Sequence, residues 1–155
     1  MEDNINEIPT EFENATRGER LGAALIDALI ITVVIIPLAY FMGYFENFGE
    51  VTPPLNITIV LAIVGFALYF LVNGKLLHTN GQTIGKKFNG IRIVKLDGTK
   101  PDIKELLVRR YIPYFGFPYI PYIGSFVNLI NLCFIFGKEK RCLHDKIAGT
   151  KVVKS

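Results

Sequence analysis

A single carboxylate inside a long apolar run constrains this chain more than any other feature. Between Leu21 and Leu38 every residue is apolar except Asp27 and Thr32, and the apolar character continues through Ala39, Tyr40, Phe41 and Met42. At ~1.5 Å per residue, such a run crosses the ~30 Å of hydrocarbon in a bilayer. It reads as a first membrane span over residues 21–42. A carboxylate two turns into a span costs roughly 2.5 to 3.5 kcal/mol on insertion scales, so Asp27 must face protein or water and find partners there. Arg20 precedes it by seven positions, nearly two whole turns, which sets both side chains on one stripe of the helix about 10 Å apart. Two readings follow. Either the stripe is a polar seam that binds or moves an ion, or Arg20 is an interfacial anchor and Asp27 a hydrogen-bonded group between helices.

The distribution of charge sets the expected topology. Half of the 155 residues are hydrophobic and the net charge is only +3, so the balance does not point to nucleic acid. The loop after the first run carries Glu46 and Glu50, no basic residue, and a Pro53-Pro54 stop. By the positive-inside rule this loop is external. A second span is expected over residues 55–77. Residues 78–100 then hold Lys86, Lys87, Arg92, Lys95 and Lys100, and residues 137–155 hold Lys138, Lys140, Arg141, Lys146, Lys151 and Lys154. Both segments belong on the cytoplasmic side, as do both termini of a multi-pass protein of the cell membrane. Residues 1–19 form a polar, acidic cytoplasmic segment with no basic n-region, so the first run is a retained anchor rather than a cleaved signal. Residues 20–153 make one membrane domain.

Gly81-Gln82-Thr83-Ile84-Gly85-Lys86-Lys87 has the look of a phosphate-binding loop, but the glycine spacing is one residue short, no Ser or Thr follows Lys86, and no strand leads in. Its lysines, Lys86 and Lys87, are expected to be structural or to face anionic lipid headgroups. Residues 91–95 are β-prone and end at the Asp97-Gly98 turn signal. A lone strand cannot satisfy its backbone, and the comparable segment is 150–153, so the two are expected to pair in a small cytoplasmic sheet.

A helix is expected to start after Pro101-Asp102, with Asp102 and Glu105 at capping-box spacing, and to run toward Pro113. Its Arg109 and Arg110 suit an interfacial start or a cationic pair facing a polar interior. Pro113, Gly116, Pro118, Pro121 and Gly124 then interrupt the third apolar run. The basic tail requires an even number of crossings or a segment that returns, and residues 103–136 are too few for two full helices. A Pro/Gly-broken helical hairpin over 103–136 fits both limits, with its turn buried in protein or lining water. The expected fold class is therefore an all-α integral membrane protein: two transmembrane helices, a broken C-terminal hairpin and a small β pairing. Tyr111, Tyr114, Tyr119 and Tyr122 form an interfacial belt or line a path.

Cys133 and Cys142 have eight residues between them, sit across an expected membrane boundary and form no Cys-x-x-Cys. With only two histidines in the chain, neither a zinc site nor a disulfide is expected, and the thiols read as buried or unreactive. No metalloprotease, nucleophile-elbow or redox motif is present, so neither an enzyme nor a cofactor or metal centre is expected.

The tail closes on His144-Asp145-Lys146-Ile147-Ala148-Gly149-Thr150. Together with Arg20, Asp27, the segments 81–86 and 90–94, and Arg109-Arg110, it resembles the RDD family of small membrane proteins over about residues 18–153. The resemblance implies a helical, membrane-embedded fold, an Arg/Asp/Asp set that here is Arg20, Asp27 and Asp145, and transport, with cation/proton exchange proposed for some members. Asp145 falls on the side of Arg20, where the pair can clamp the tail onto the first span. Asp27, deeper in, is the candidate for reversible protonation or ion binding, and His144 is a candidate relay near neutral pH. The competing function is a non-catalytic assembly, scaffold or quality-control module whose Arg/Asp clamp is structural. The expected partners are the bilayer, anionic headgroups and further copies of the chain, because so few helices enclose little space.

Overall fold

The computed structural model describes residues 12–46, 55–116, 124–134, 137 and 141–155. Two long helices carry most of the apolar sequence: α1 (Arg17–Phe41) and α2 (Leu55–Asn80). Both are long and apolar enough to cross a membrane, and only 11% of each apolar window is buried against the rest of the chain. Leu21, Leu25, Leu29, Val33, Ile36 and Tyr40 form one outward stripe of α1. A core helix of a soluble protein would bury that face, whereas lipid accepts it.

The helix starts are chemically specified. Thr16 caps α1, its hydroxyl accepting from Glu19 N at 3.2 Å while Glu19 Oε2 accepts from Thr16 N at 2.7 Å. Helix α1 therefore begins before the expected span, and Pro37 is accommodated without ending it. Helix α2 runs past the expected boundary at residue 77 to Asn80, where Gly81 turns the chain with φ 66°. A Cβ there would stand 2.6 Å from the Ile93 carbonyl, so only glycine fits.

A one-turn helix α3 (Ile84–Phe88) leads into β1 (Ile91–Lys95). As expected, β1 pairs with the C-terminal segment, which forms β2 (Thr150–Lys154); the two are antiparallel, with Ile93 opposite Val152. The segment before α1 also joins this sheet: Ala15 N donates to Val152 O at 3.0 Å and Lys154 N to Glu13 O at 2.9 Å. The N-terminus, β1 and the tail are thereby tied at one end of the molecule.

After Pro101, the chain forms α4 (Ile103–Leu106), a π-helical turn (Leu107–Tyr111) and α5 (Ile112–Gly116) without a break. Asp102 caps it through Lys104 N at 3.2 Å, but Glu105 does not complete the expected box. Its carboxylate is drawn instead to Lys95 at 2.7 Å and Arg109 at 3.4 Å. The helix also runs through Pro113, which lacks an N–H, with Ile112 N bonded five residues back to Leu107 O. Helices α6 (Gly124–Cys133) and α7 (Leu143–Ile147) follow. The expected Pro/Gly turn of the hairpin, Pro118 and Pro121 included, lies outside the described residues.

The buried core sits at the sheet end, built from Ala23, Tyr69, Leu77, Ile93, Leu106 and Val152. Phe70, Tyr111 and Phe115 pack edge-on or tilted against Tyr69, Phe66 packs on Phe70 and Phe115, and the Tyr69 and Tyr111 hydroxyls meet at 3.5 Å. This aromatic wedge fixes the π-helical turn against α2, which aims Arg110 inward.

Candidate functional site

Two buried carboxylates, each on a different element, organise the sheet end. Asp145 lies in the first turn of α7, where Oδ2 accepts from Cys142 N at 3.2 Å. Its Oδ1 pairs closely with Arg110 Nη1 from the π-helical turn, and its Oδ2 lies 3.4 Å from Arg20 Nη1 on α1. The three side chains are 2%, 5% and 8% exposed, so this is an ion triad removed from solvent. The arginines are themselves anchored. Arg20 Nη2 donates to Val152 O at 3.0 Å, and Arg110 Nη1 donates to Thr150 Oγ1 at 2.7 Å. One carboxylate thus joins α1, the π-helical turn, α7 and β2. Burial alone would raise the Asp145 pKa, but Arg110, His144 and Arg20 outweigh it and hold the carboxyl below its ordinary range.

Asp27 has a different environment. Thr83 Oγ1 donates to its Oδ2 at 2.6 Å and Gly85 N donates to its Oδ1 at 2.8 Å. Both donors are neutral, and among the described residues no cation lies within ion-pair distance of Asp27. Arg20, on the same stripe of α1, turns to Asp145 instead. The segment that resembled a phosphate loop therefore presents its hydroxyl and amide to a carboxylate of the chain itself. Sequence reasoning did not find Thr83 and Gly85. Their signal was the glycine spacing: a Cβ on Gly85 would stand 2.1 Å from the Ala23 carbonyl, so α3 can seat on α1 only with glycine there. Asn73 completes the seat, its Oδ1 accepting from Ile84 N at 2.8 Å.

The remaining sequence candidates separate into buried and exposed groups. His144 is buried, edge-on to Tyr114 with centroids 5.1 Å apart, and its Nε2 lies 3.8 Å from Asp145 Oδ1. Burial pushes its pKa down to about 4, against the pull of Asp145, so the ring is neutral at physiological pH rather than poised near it. Lys86 is partly buried, and burial followed by the field of Arg110 lowers its pKa to about 8. Lys87 and Arg109 are exposed. Cys142, His144 and Asp145 cluster closely enough to suggest a metal site. The chemistry opposes one: burial raises the Cys142 thiol to about 11, and two guanidiniums already occupy the Asp145 carboxylate. A cleft of about 260 Å³, lined by Gln82, Arg92, Lys100 and Ser155 among others, lies beside the sheet, and neither aspartate borders it.

The RDD family model matches residues 14–149. The chain is 31% identical over 133 residues to the uncharacterized protein YckC of Bacillus subtilis, covering 86% of this chain and 80% of that protein. It is 37% identical over 79 residues to the uncharacterized protein RP437 of Rickettsia prowazekii, covering 50% of this chain and 39% of that one. An uncharacterized protein of Haemophilus influenzae is 23% identical over 147 residues, covering 94% of this chain and 81% of that protein. No solved structure matches.

Proposed function

The chain belongs to the RDD family, and from that membership and the surroundings of Asp27 we propose that it carries a small cation across the cell membrane in exchange for a proton. The observation that supports this reading is the contrast between the two aspartates. Asp145 has two arginines at hand, whereas among the described residues Asp27 is held by a hydroxyl and an amide. A carboxylate within an apolar span and without a contact cation is neutralised by a proton or by a dehydrated monovalent cation, and alternation between the two is exchange. In this account both termini are cytoplasmic, residues 103–136 form a broken hairpin, exposed Lys87 and Arg109 meet anionic headgroups, and several copies enclose the path.

The observation that favours the second reading, a structural membrane module, is how tightly Asp27 is seated. Both of its oxygens accept hydrogen bonds, and α3 fits α1 without room for a methyl group. Binding of radiolabelled sodium to detergent-purified protein separates the two. Saturable binding that is lost in Asp27→Asn, with helical content unchanged, supports the exchanger. Equal or absent binding in both proteins favours the module.

A further inference from the structure

We propose that the cleft beside the sheet binds the phosphate group of an anionic phospholipid, in the leaflet that the sheet end meets. The inference goes beyond the exchange reading and does not depend on it.

The cleft, of about 260 Å³, lies between the end of α2, β1, the turn after β1 and the end of the chain. Its polar lining is Thr79, Asn80, Gln82, Arg92, Lys100 and Ser155. Two of these are cations and none is an acid. The acids that follow in sequence are engaged elsewhere. Asp97 Oδ1 accepts from Thr99 N at 2.8 Å and Thr99 Oγ1 at 2.6 Å, Asp102 caps Lys104 N, and Glu105 pairs with Lys95 and Arg109. A small polar cavity with positive charge and no negative charge on its walls selects an anion.

The two cations are held in place but not satisfied. Arg92 Cζ lies 5.1 Å from the centre of the Phe12 ring. Phe12 in turn packs on Gly98, where a Cβ would stand 2.7 Å from its Cε2. That attachment orients the guanidinium and uses none of its N–H donors. Among the described residues Arg92 pairs with no carboxylate, and its Nε is closed off from solvent without a hydrogen-bond partner. Lys100 Nζ donates to His78 O at 2.8 Å, which ties the chain to the last turn of α2 and leaves further donors on the ammonium. Gln82 Nε2 braces the wall between them, donating to Ile91 O at 3.0 Å and Ser155 Oγ at 2.8 Å. A guanidinium fork and an ammonium on one cavity match the oxygens of a tetrahedral phosphate.

Depth in the bilayer points to the source of that phosphate. Lys75 is the first charged residue of α2 and is exposed, which puts the edge of the hydrocarbon near it. Thr79 and Asn80 follow roughly 6 to 8 Å further along the helix. The interfacial layer on each side of a bilayer is about 5 to 8 Å deep, so the cleft lies at the level of the lipid phosphates.

Native mass spectrometry of detergent-purified protein tests this with three probes: dioctanoyl phosphatidylglycerol, dioctanoyl phosphatidylcholine and inorganic phosphate. Wild type should retain phosphatidylglycerol more tightly than either of the others. Arg92→Gln should weaken that binding about tenfold through loss of a charge-assisted contact. Lys100→Glu, a charge reversal at an exposed position, should weaken it at least as far. Lys104→Gln removes an exposed charge outside the cleft and should leave binding within about twofold. Melting temperatures of the lipid-free proteins check folding, and Lys100→Glu decides the matter if Arg92→Gln unfolds. Phosphatidylglycerol binding that survives Lys100→Glu, or that falls as far in Lys104→Gln, overturns the cleft as the site. No binding to wild type, or no preference over phosphatidylcholine, overturns the anionic lipid. Inorganic phosphate bound as tightly as phosphatidylglycerol, with the same dependence on Lys100, overturns the lipid as the source and leaves a site for free phosphate.

Discussion

The Thr83 hydroxyl donates a 2.6 Å hydrogen bond to Asp27 across 56 positions of sequence. That contact explains how a carboxylate persists in an apolar helix. The loop after the second long helix folds back, and its cap residue and Gly85 amide replace the water that Asp27 lost. A hydrogen bond to a charged acceptor is worth about 1.5 to 3 kcal/mol. Thr83→Ala should therefore lower thermal stability in detergent by an amount in that range, and Thr83→Ser should restore most of it. Equal melting of Thr83→Ala and wild type would show that Asp27 does not depend on this donor.

Gly85→Ala is expected to unseat α3. Its methyl group would meet the Ala23 carbonyl at 2.1 Å and the Asp27 carboxyl carbon at 3.0 Å, and overpacking of this kind costs about 1 to 3 kcal/mol. Gly74→Ala is the matched control, because nothing lies within 4 Å of a Cβ at that position in α2. It should be neutral or raise stability by up to about 1 kcal/mol through helix propensity. Melting temperatures of the two variants check the contrast.

The triad gives a double-mutant cycle. Arg110→Met leaves Asp145 with Arg20 alone, and Asp145→Asn leaves two buried guanidiniums facing each other. Each single change should cost roughly 3 to 5 kcal/mol, since one partner of a buried pair is stranded. The double variant Arg110→Met/Asp145→Asn should cost clearly less than their sum. Additive losses would mean that the two side chains act independently.

His144 sets the acid sensitivity of the fold. Its pKa in the folded chain is pushed down to about 4 from an ordinary value of 6.5, so the unfolded chain takes up the proton first as pH falls. Its neutral burial is fully compatible with folding above about 6.5, and stability is lost as pH drops from there toward 4. The size of the effect is a few kcal/mol at most. Asp145 acts lower down: its depressed pKa contributes stability above the ordinary carboxylate range that is lost only in stronger acid. Melting curves between pH 4.5 and 7.5 should slope in wild type and flatten in His144→Gln.

Several of these relationships were visible in the sequence, for identifiable reasons. The two long helices follow from apolar length, and the pairing of residues 91–95 with the tail follows because each strand lacked another partner. Arg20 and Asp145 were matched through the family resemblance, with charge and expected side in agreement. Arg110 as the closer partner could not, because a π-helical turn shifts which residues of a helix share a face, and no residue pattern announces it. The partners of Asp27 were hidden for a different reason. Helical periodicity tells which stripe a residue occupies but not which loop returns to cover it, and the glycines of residues 81–85 suit a phosphate as well as a carboxylate. The burial of His144 was hidden for a similar reason, since it is set by the folded neighbours Tyr114 and Asp145.

The decisive measurement is proton movement into liposomes holding the purified protein, under imposed sodium, lithium or potassium gradients with the membrane potential clamped. Wild type should move protons against the cation, and Asp27→Asn, verified as folded and equally inserted, should not. Flux of wild-type size from Asp27→Asn, or none from correctly inserted wild type under any of the three gradients, would contradict exchange through Asp27.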